Sequence, residues 1–414
     1  MIFVTKPYLP SFKKYQKYLE RIWKNHHLTN FGPLSLELEE KLSEYLGVKY
    51  LVVVNNGTLA LQLAYRLAGL KAGDKVITTP FSFVATTNSL LWEGILPIFS
   101  DINKNNLNLD VVKLAKRVDS DVKAMICVHV FGNPCEVEAL QEYSRRHCLK
   151  LIYDAAHAFG VRYKDKSIFE YGDISTLSFH ATKIFHCVEG GAVILKNEAM
   201  FKEAKEMMNF GLRDSMPIKL GINLKNSEFH AAMGLCVLED MGYILEQRER
   251  SWNYYAMHLK DDFILQEFNT QATMNYHYFP IIFESELQLT EALKRFNHNG
   301  IFPRRYFYPS LDELSFFDGG LCPVSRDIAR RILCLPMFVG LSKAQQDKII
   351  NLLKEVKSFN CAGGGGIMPR SLAVFLFIVY FKAFCQFLFQ FLFITTFKII
   401  LFIVSSNKEF KWRI

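Results

Sequence analysis

From about residue 49 the chain alternates between short β-branched apolar runs and stretches that repeat with a helical period. "YLVVV" (50–54) leads into the helical "NNGTLALQLAYRLAG", and "KVITTP" (75–80), "LPIFS" (96–100) and "AMICVHV" (124–130) follow. A helix is predicted near 136–147, then strands at "LKLIYD" (149–154), Ile174–Phe179 and "GAVIL" (191–195). These strands are apolar throughout rather than alternating apolar with polar. That pattern belongs to a mainly parallel sheet covered by helices on both faces. In such sheets ligands sit beyond the carboxyl ends of the strands. Four polar clusters fall there: Asn55–Thr58, Thr79–Phe83, Asp154–His157 and Ser178–Lys183.

A long helical stretch, 228–258, leads into a smaller α+β segment whose strands include "YHYFPIIF" (276–283) and "RILCLP" (331–336). The expected organisation is therefore a large α/β domain over 1–250, with the N-terminal segment, and a smaller C-terminal α+β domain over 251–357. After "CAGGGG" (361–366) the composition changes: residues 371–404 hold ten Phe and only two charges, Lys382 and Lys398. Length and hydropathy qualify 371–404 as a transmembrane candidate, which would make the Gly linker and tail, 358–414, membrane-associated. The interrupting lysines and the Phe excess suit non-native sequence equally, and both readings stay open.

Composition narrows the function classes. At 414 residues, half of them apolar and 22% charged, the chain can bury two cores. The net charge of +8 is spread out, and short clusters such as "RRH" (145–147) and "PRRY" (303–306) form no nucleic-acid stripe. A mildly basic surface suits an anionic small substrate. The nine cysteines are scattered, with no C-x-x-C pair and no Cys/His spacing of a zinc site, so no metal is expected. The N-terminus "MIFVTKPYLPSFKKY" lacks a signal-peptide apolar core, which points to a reducing cytoplasm.

Taken singly, each polar cluster has an ordinary explanation. Gly57 and Thr58 at a helix start make a simple N-terminus, Asp154 can be a helix cap, and His157 a satisfied structural histidine. Lys183, between a strand and the Gly190-Gly191 pair, can be a solvated loop residue. Together they ask for one ligand. It would be a flat ring with an acidic partner for its nitrogen, an aromatic lid, an anionic arm for a helix N-terminus and a lysine for its aldehyde. Pyridoxal 5′-phosphate meets that description.

Several motifs occur in the right order: "TNFGPL" (29–34), "NNGTLAL" (55–61), "VITTPFSFVAT" (76–86), "VHVFGNPCEVEAL" (128–140), "YDAAHAFG" (153–160), "LSFHATKIFHCVEGGA" (177–192) and "GINLKNSEFHAAMGL" (221–235). On these the chain, from about residue 5 to 355, resembles the DegT/DnrJ/EryC1/StrS family of sugar aminotransferases. The resemblance implies the aspartate-aminotransferase-like fold, PLP fold type I. It implies that Lys183 bonds the cofactor's aldehyde and later carries protons, that Asp154 keeps the ring nitrogen protonated, and that His157 contacts the ring's phenolic oxygen. Phe83 matches the aromatic that stacks on the ring, with Phe81 still open. Gly57, Thr58 and Ser178 match phosphate-binding positions. Asn223 matches an asparagine that reaches the phosphate of the neighbouring subunit, which implies a homodimer with shared sites.

Two departures stand in that last motif: Lys225 where many members carry Arg, and Asn226 where many carry Met. The related sugar dehydratases have histidine at the lysine position, so Lys183 favours transamination. The motifs look most like the members that make dTDP-4-amino-4,6-dideoxyglucose from the 4-keto sugar with glutamate, for O-antigen or other surface glycans. A 3-keto-sugar or UDP-sugar acceptor, and a non-catalytic regulatory protein on the same fold, are the alternatives. The aromatics of "NYHYFPI" (275–281) and "RRYFYP" (304–309) are expected in the core.

Overall fold

The computed structural model describes residues 1–114, 121–317 and 320–362. At its centre is a seven-stranded sheet: β1 (Tyr50–Val54), β2 (Lys75–Thr78), β3 (Leu96–Phe99), β4 (Val122–Val128), β5 (Lys150–Asp154), β6 (Ile174–Ser178) and β7 (Gly191–Leu195). The spatial order is β1-β7-β6-β5-β4-β2-β3. β7 runs antiparallel to both of its neighbours, and every other pairing is parallel. The expected α/β class with a mainly parallel sheet is what the chain adopts.

The uninterrupted apolar strands follow from burial on both faces. In β1, Leu51 and Val53 enter one core and Val52 and Val54 the other. In β5, Leu151 and Tyr153 part from Ile152 in the same way. The first core is closed by α1 (Pro33–Leu46), α4 (Val137–Arg146) and α6 (Glu228–Glu239), and the second by α2 (Gly57–Leu67), α3 (Ala85–Trp92) and α5 (Glu198–Met207).

The predicted helix over 228–258 is two helices, α6 and α7 (Met241–Leu259), meeting at Asp240. The break has a chemical reason. The Asp240 carboxylate accepts from Lys14 Nζ at 2.6 Å and from the Tyr8 hydroxyl at 2.9 Å. At the other end of α6, the buried Glu228 carboxylate accepts from the Leu34 and Ser35 N–H groups, each at 2.8 Å, and so caps α1. This contact is why "TNFGPL" and "GINLKNSE" belong together although nearly 200 residues separate them.

A second, antiparallel sheet contains β8 (Ile264–Leu265), β9 (Phe279–Ile282) and β10 (Ile332–Leu335). It packs with α7, α8 (Glu286–His298) and α10 (Lys343–Ala362) around Tyr255, Phe279, Phe296, Leu335 and Leu353; α9 (Pro323–Arg331) leads into β10. The strand predicted from 276 begins only at 279. Tyr276 adopts a positive φ of 55°, and the buried Arg248 guanidinium takes the carbonyls of Tyr276 and His277 out of the ladder. No helix among the described residues is long and apolar enough to cross a membrane. The expectation for the Phe-rich tail, 371–404, lies outside the described residues.

Candidate active site

β1 ends at Val54 and the chain turns through Asn55 and Asn56 into α2. The Asn56 side chain accepts from the Leu59 N–H at 2.9 Å, which leaves the amides of Gly57 and Thr58 at the positive end of the helix. Ser178, the last residue of β6, lies directly against Gly57: a Cβ there would stand 2.8 Å from the Ser178 Cβ. The antiparallel β7 brings Gly191 between Ser178 and Val54, where a Cβ would meet the Asn56 carbonyl at 2.7 Å. The glycines are therefore required by close approach. They leave a candidate anion cradle, the helix amides with Thr58 and Ser178 on the cavity wall.

Across from the cradle, Asp154 ends β5 and is 7% exposed. Its Oδ2 accepts from the Thr86 hydroxyl at 2.7 Å and its Oδ1 from the Ala156 N–H at 3.1 Å. Because Thr86 spends its only hydroxyl proton on Asp154, the Ser82 hydroxyl, 2.7 Å away, donates to Thr86. A buried carboxylate held by two donors keeps its position and still faces the cavity.

Lys183 sits in the loop after β6, its N–H donating to the His180 carbonyl at 2.8 Å. The buried rings of Phe179 and Phe185 anchor this loop, Phe185 stacking on Phe159 at 4.6 Å. Burial lowers the Lys183 amine from 10.5 to about 8, opposed by the Asp154 carboxylate and assisted by the Arg304 cation. His157 lies beside the rings of Phe131 and Phe307, at 6.1 and 5.8 Å, the three centroids forming a triangle with the phenylalanines 5.6 Å apart. Burial holds it well below its ordinary range, with the Lys183 charge and His277 adding to the effect, so the imidazole is neutral. Its Nδ1 is buried without a hydrogen-bond partner.

Gly57, Thr58, Phe83, Asp154, His157, Ser178 and Lys183 all line one cavity of about 1000 Å³. Acid and amine share it. The structure also separates the two phenylalanines. Phe83 is half exposed on the cavity wall, whereas Phe81 is fully buried against Phe131 and Phe307. Asn223 does not line the cavity of its own chain. It is exposed, and among the described residues its side chain accepts from the Lys225 N–H, at 3.3 Å. The two departures find partners within the chain: Lys225 Nζ donates to Asn209 Oδ1 at 2.8 Å, and Asn226 Nδ2 to the Glu189 carbonyl at 3.2 Å.

Sequence reasoning missed part of the wall and of its support: Ser82 lines the cavity, and the buried Thr86 holds Asp154. Thr86 and Ser82 lie inside a quoted motif, and their spacing of four residues was the available signal. The stretch 304–309 divides rather than entering the core as expected. Phe307 is buried, while Arg304, Tyr306 and Tyr308 face the cavity. His277, fully buried, lies with its ring 5.0 Å from that of His157.

The sequence profile of the DegT/DnrJ/EryC1/StrS aminotransferase family matches residues 12–354. The chain belongs to this family. It is 41% identical over 367 residues to a dTDP-4-amino-4,6-dideoxy-D-glucose transaminase of Shigella dysenteriae, covering 86% of this chain and 99% of that one. A transaminase of the same name from Escherichia coli is 36% identical over 84% of this chain and 97% of its own length. Among solved structures, DesI in the presence of its TDP-sugar product is similar at a TM-score of 0.81 and 29% identity, over 86% of this chain and 93% of that one.

The protein is thus an aminotransferase of PLP fold type I, with pyridoxal 5′-phosphate as its cofactor. The residues present fit that group. The helix N-terminus at Gly57, packed closely on Ser178, suits a phosphate, the unpartnered Nδ1 leaves His157 short of one contact, and Asp154 and the Lys183 amine supply the donor set a pyridine aldehyde needs.

Proposed function

We propose that this aminotransferase transfers the amino group of L-glutamate to dTDP-4-dehydro-6-deoxy-D-glucose, giving dTDP-4-amino-4,6-dideoxy-D-glucose for a surface polysaccharide such as O-antigen lipopolysaccharide. The observation that carries the chemistry is the half-buried Lys183 amine, lowered to about 8, in the same cavity as the fixed Asp154 carboxylate. The choice of sugar is supported by two relatives of that name that match nearly their whole length.

When bound, the cofactor supplies an aldehyde and an electron-accepting ring. Lys183 Nζ, free amine in a sizeable fraction near neutral pH, would hold that aldehyde and, once displaced by the donor's amine, would carry the proton from the donor's Cα to the carbon that was the aldehyde. Asp154, held by Thr86 and Ala156, keeps a proton on the ring nitrogen. His157, neutral and packed beside two aromatic rings, would contact the phenolic oxygen without adding charge. Phe83 stacks on the ring, and the α2 amides with Thr58 and Ser178 hold the phosphate.

A homodimer completes the site in this reading. Asn223 lies off its own cavity and beside exposed apolar side chains, Phe210, Met216, Ile218, Leu220 and Ile222, a surface that suits a second copy. The seven free cysteines of the described residues suit a cytoplasmic setting.

The test is a half-reaction assay with purified protein. Glutamate should bleach the visible band of the bound cofactor and release 2-oxoglutarate, and a panel of dTDP- and UDP-linked 3- and 4-keto-sugars should restore the band fastest with the dTDP-4-keto sugar. Lys183→Ala should abolish both steps. Retention of turnover by that variant would end the assignment. Mixing Lys183→Ala with Asn223→Ala protein should regain activity if one wild-type site forms per hybrid dimer, and no regain refutes sharing.

A further inference from the structure

His277 stands behind the cavity wall, 1% exposed, where three segments meet. The first is the turn after β5. The His277 ring meets that of His157 edge-on, the centroids 5.0 Å apart, and its Nδ1 lies 3.4 Å from the His157 carbonyl oxygen. The second is the loop of Lys183, whose Thr182 carbonyl also draws on the ring. The third is α7, from which the buried Arg248 guanidinium donates to the carbonyls of Tyr276 and His277.

Asn275 pins the same junction. Its Nδ2 donates to the carbonyls of His157 and Phe159 at 2.8 and 3.1 Å, and its Oδ1 accepts from the His277 N–H at 3.2 Å. Gly132 makes room for it. A Cβ there would stand 2.6 Å from Asn275 Oδ1 and 2.8 Å from the His157 carbonyl. The stretch 275–277, just ahead of β9, is therefore tied to the His157 turn by hydrogen bonds and not by apolar packing alone.

Burial holds His277 well below its ordinary range, and the Lys183 and Arg248 charges push the same way, against the two carbonyls. The ring is neutral and has one proton to give. With that proton on Nδ1, toward His157, Nε2 is left buried without a hydrogen-bond partner. An apolar ring of similar size would fill this space without that desolvation cost. Packing alone does not account for an imidazole here.

We propose that His277 is a positioning residue for proton transfer by Lys183, its imidazole fixing the spacing between the His157 turn and the Lys183 loop. This rests on the transaminase reading above. A proton acceptor has to stand within about 3 Å of its target, and a displacement of about 1 Å can cost roughly a hundredfold in rate. Phe179 and Phe185 anchor the Lys183 loop to the core of the large sheet. His277 bears on it from the segment that leads into the small sheet, and the loop is held from both sides.

Wild-type, His277→Phe and His277→Asn proteins are compared. Phe keeps the ring and removes the donor, whereas Asn returns an amide N–H near the place of Nδ1. Cofactor content and denaturation midpoint are measured first. Single-turnover bleaching of the holoenzyme is then followed against L-glutamate, and against the dTDP-amino-sugar in the reverse half-reaction. In cofactor-free protein, acetic anhydride pulses give the pH midpoint of the Lys183 amine. His277→Phe is expected to hold cofactor and to lower the limiting rate of both half-reactions roughly 10- to 100-fold, with half-saturating concentrations within about threefold of wild-type. Its Lys183 midpoint should climb from about 8 toward the ordinary 10.5, because a loosened loop lets water reach the amine. His277→Asn should fall between the two proteins in both readouts. A lower denaturation midpoint with unchanged rates and an unchanged Lys183 midpoint would overturn the proposal. So would an effect confined to half-saturation, which marks a residue of the binding wall. Should His277→Phe fail to fold, His277→Asn decides alone: a limiting rate lowered at least about threefold supports the proposal, and wild-type rates refute it. A wild-type protein that holds cofactor yet is bleached by no amino acid would instead sink the transaminase reading, while the Lys183 midpoints would still judge His277.

Discussion

An ordinary lysine titrates near 10.5, and burial sets Lys183 at about 8. The difference corresponds to roughly 3 kcal/mol of disfavour for the charged form. At pH 7.5 about a quarter of Lys183 is then free amine, against about one in a thousand for an exposed lysine. The perturbation is pH itself, applied to cofactor-free protein. Brief acetic anhydride pulses from pH 6 to 11, read by peptide mass spectrometry, give the fraction of free amine at Lys183 and at the exposed Lys104 in one experiment. The Lys183 midpoint should fall near 8. Asp154→Asn removes the carboxylate that opposes burial and should move it lower, whereas Arg304→Gln removes a cation and should move it higher. A stability consequence follows with a definite sign. Between about pH 8 and 10.5 the unfolded chain binds a proton the folded one does not, so the Lys183 contribution to stability rises with pH through that window, by up to about 3 kcal/mol. Lys183→Met should lack that rise. A midpoint indistinguishable from that of Lys104, or both charge variants shifting the same way, would refute the reasoning.

Further outcomes are expected away from the lysine. His129 is fully buried, stacked on Tyr153 at 4.6 Å, and burial lowers it to about 3. It folds neutral, so acidification below 6.5 should cost stability, about 2 kcal/mol by pH 5, and His129→Gln should remove that part of the slope in denaturant melts. Phe81→Ala should lose about 3–5 kcal/mol in the same melts while Phe83→Ala loses less than about 1, because only the first empties a packed core. Phe83→Ala should instead weaken cofactor retention on dialysis, and the reverse pattern would reassign the two rings. Gly57→Ala drives a methyl to 2.8 Å from Ser178 and should raise the dissociation constant of the cofactor at least roughly tenfold, measured by absorbance titration.

Much of this was legible in the chain. The doubly buried strands announced themselves as continuous apolar runs, and their ends marked where chemistry would gather, because an apolar strand has to meet its first polar residue at the sheet edge. Strand limits were read too long by a residue or two, as at 75–80 against Lys75–Thr78, where Thr79 and Pro80 already belong to the turn. What stayed hidden depended on partners remote in sequence. A break at Asp240 needs Lys14 and Tyr8, more than 220 residues away, to supply the hydrogen bonds. Likewise, Thr86 looks like any helical threonine until Asp154 lies 2.7 Å from it. In "RRYFYP" the residue types are plain, yet only the bridge to Cys334 and the Glu286 pair decide which arginine is engaged and which faces the cavity with its charge open.

That last wall raises a question of registry, since Arg304, Tyr306 and Tyr308 must meet a lysine from the far side of the large sheet. Two contacts hold them in place. The Leu311 N–H donates to the Pro80 carbonyl at 3.0 Å, at the end of β2. The buried Asp101 carboxylate, just beyond β3, accepts from the Val324 and Ser325 N–H groups at 3.0 and 2.9 Å, at the N-terminus of α9. Ser325 then continues the chain of contacts through the Ser310 hydroxyl, 2.6 Å away, back to the segment that carries the arginine. An acid at a helix N-terminus is favourable in its own right, but here it also ties the cavity wall to the sheet whose other strands carry Asp154 and Lys183. The cavity is therefore a property of the sheet edge as a whole. Asp101→Ala should therefore destabilise the wall that carries Arg304, Tyr306 and Tyr308 without touching any of them, read as a lower denaturation midpoint, and an unchanged midpoint would show that the bridge to Cys334 holds the wall alone.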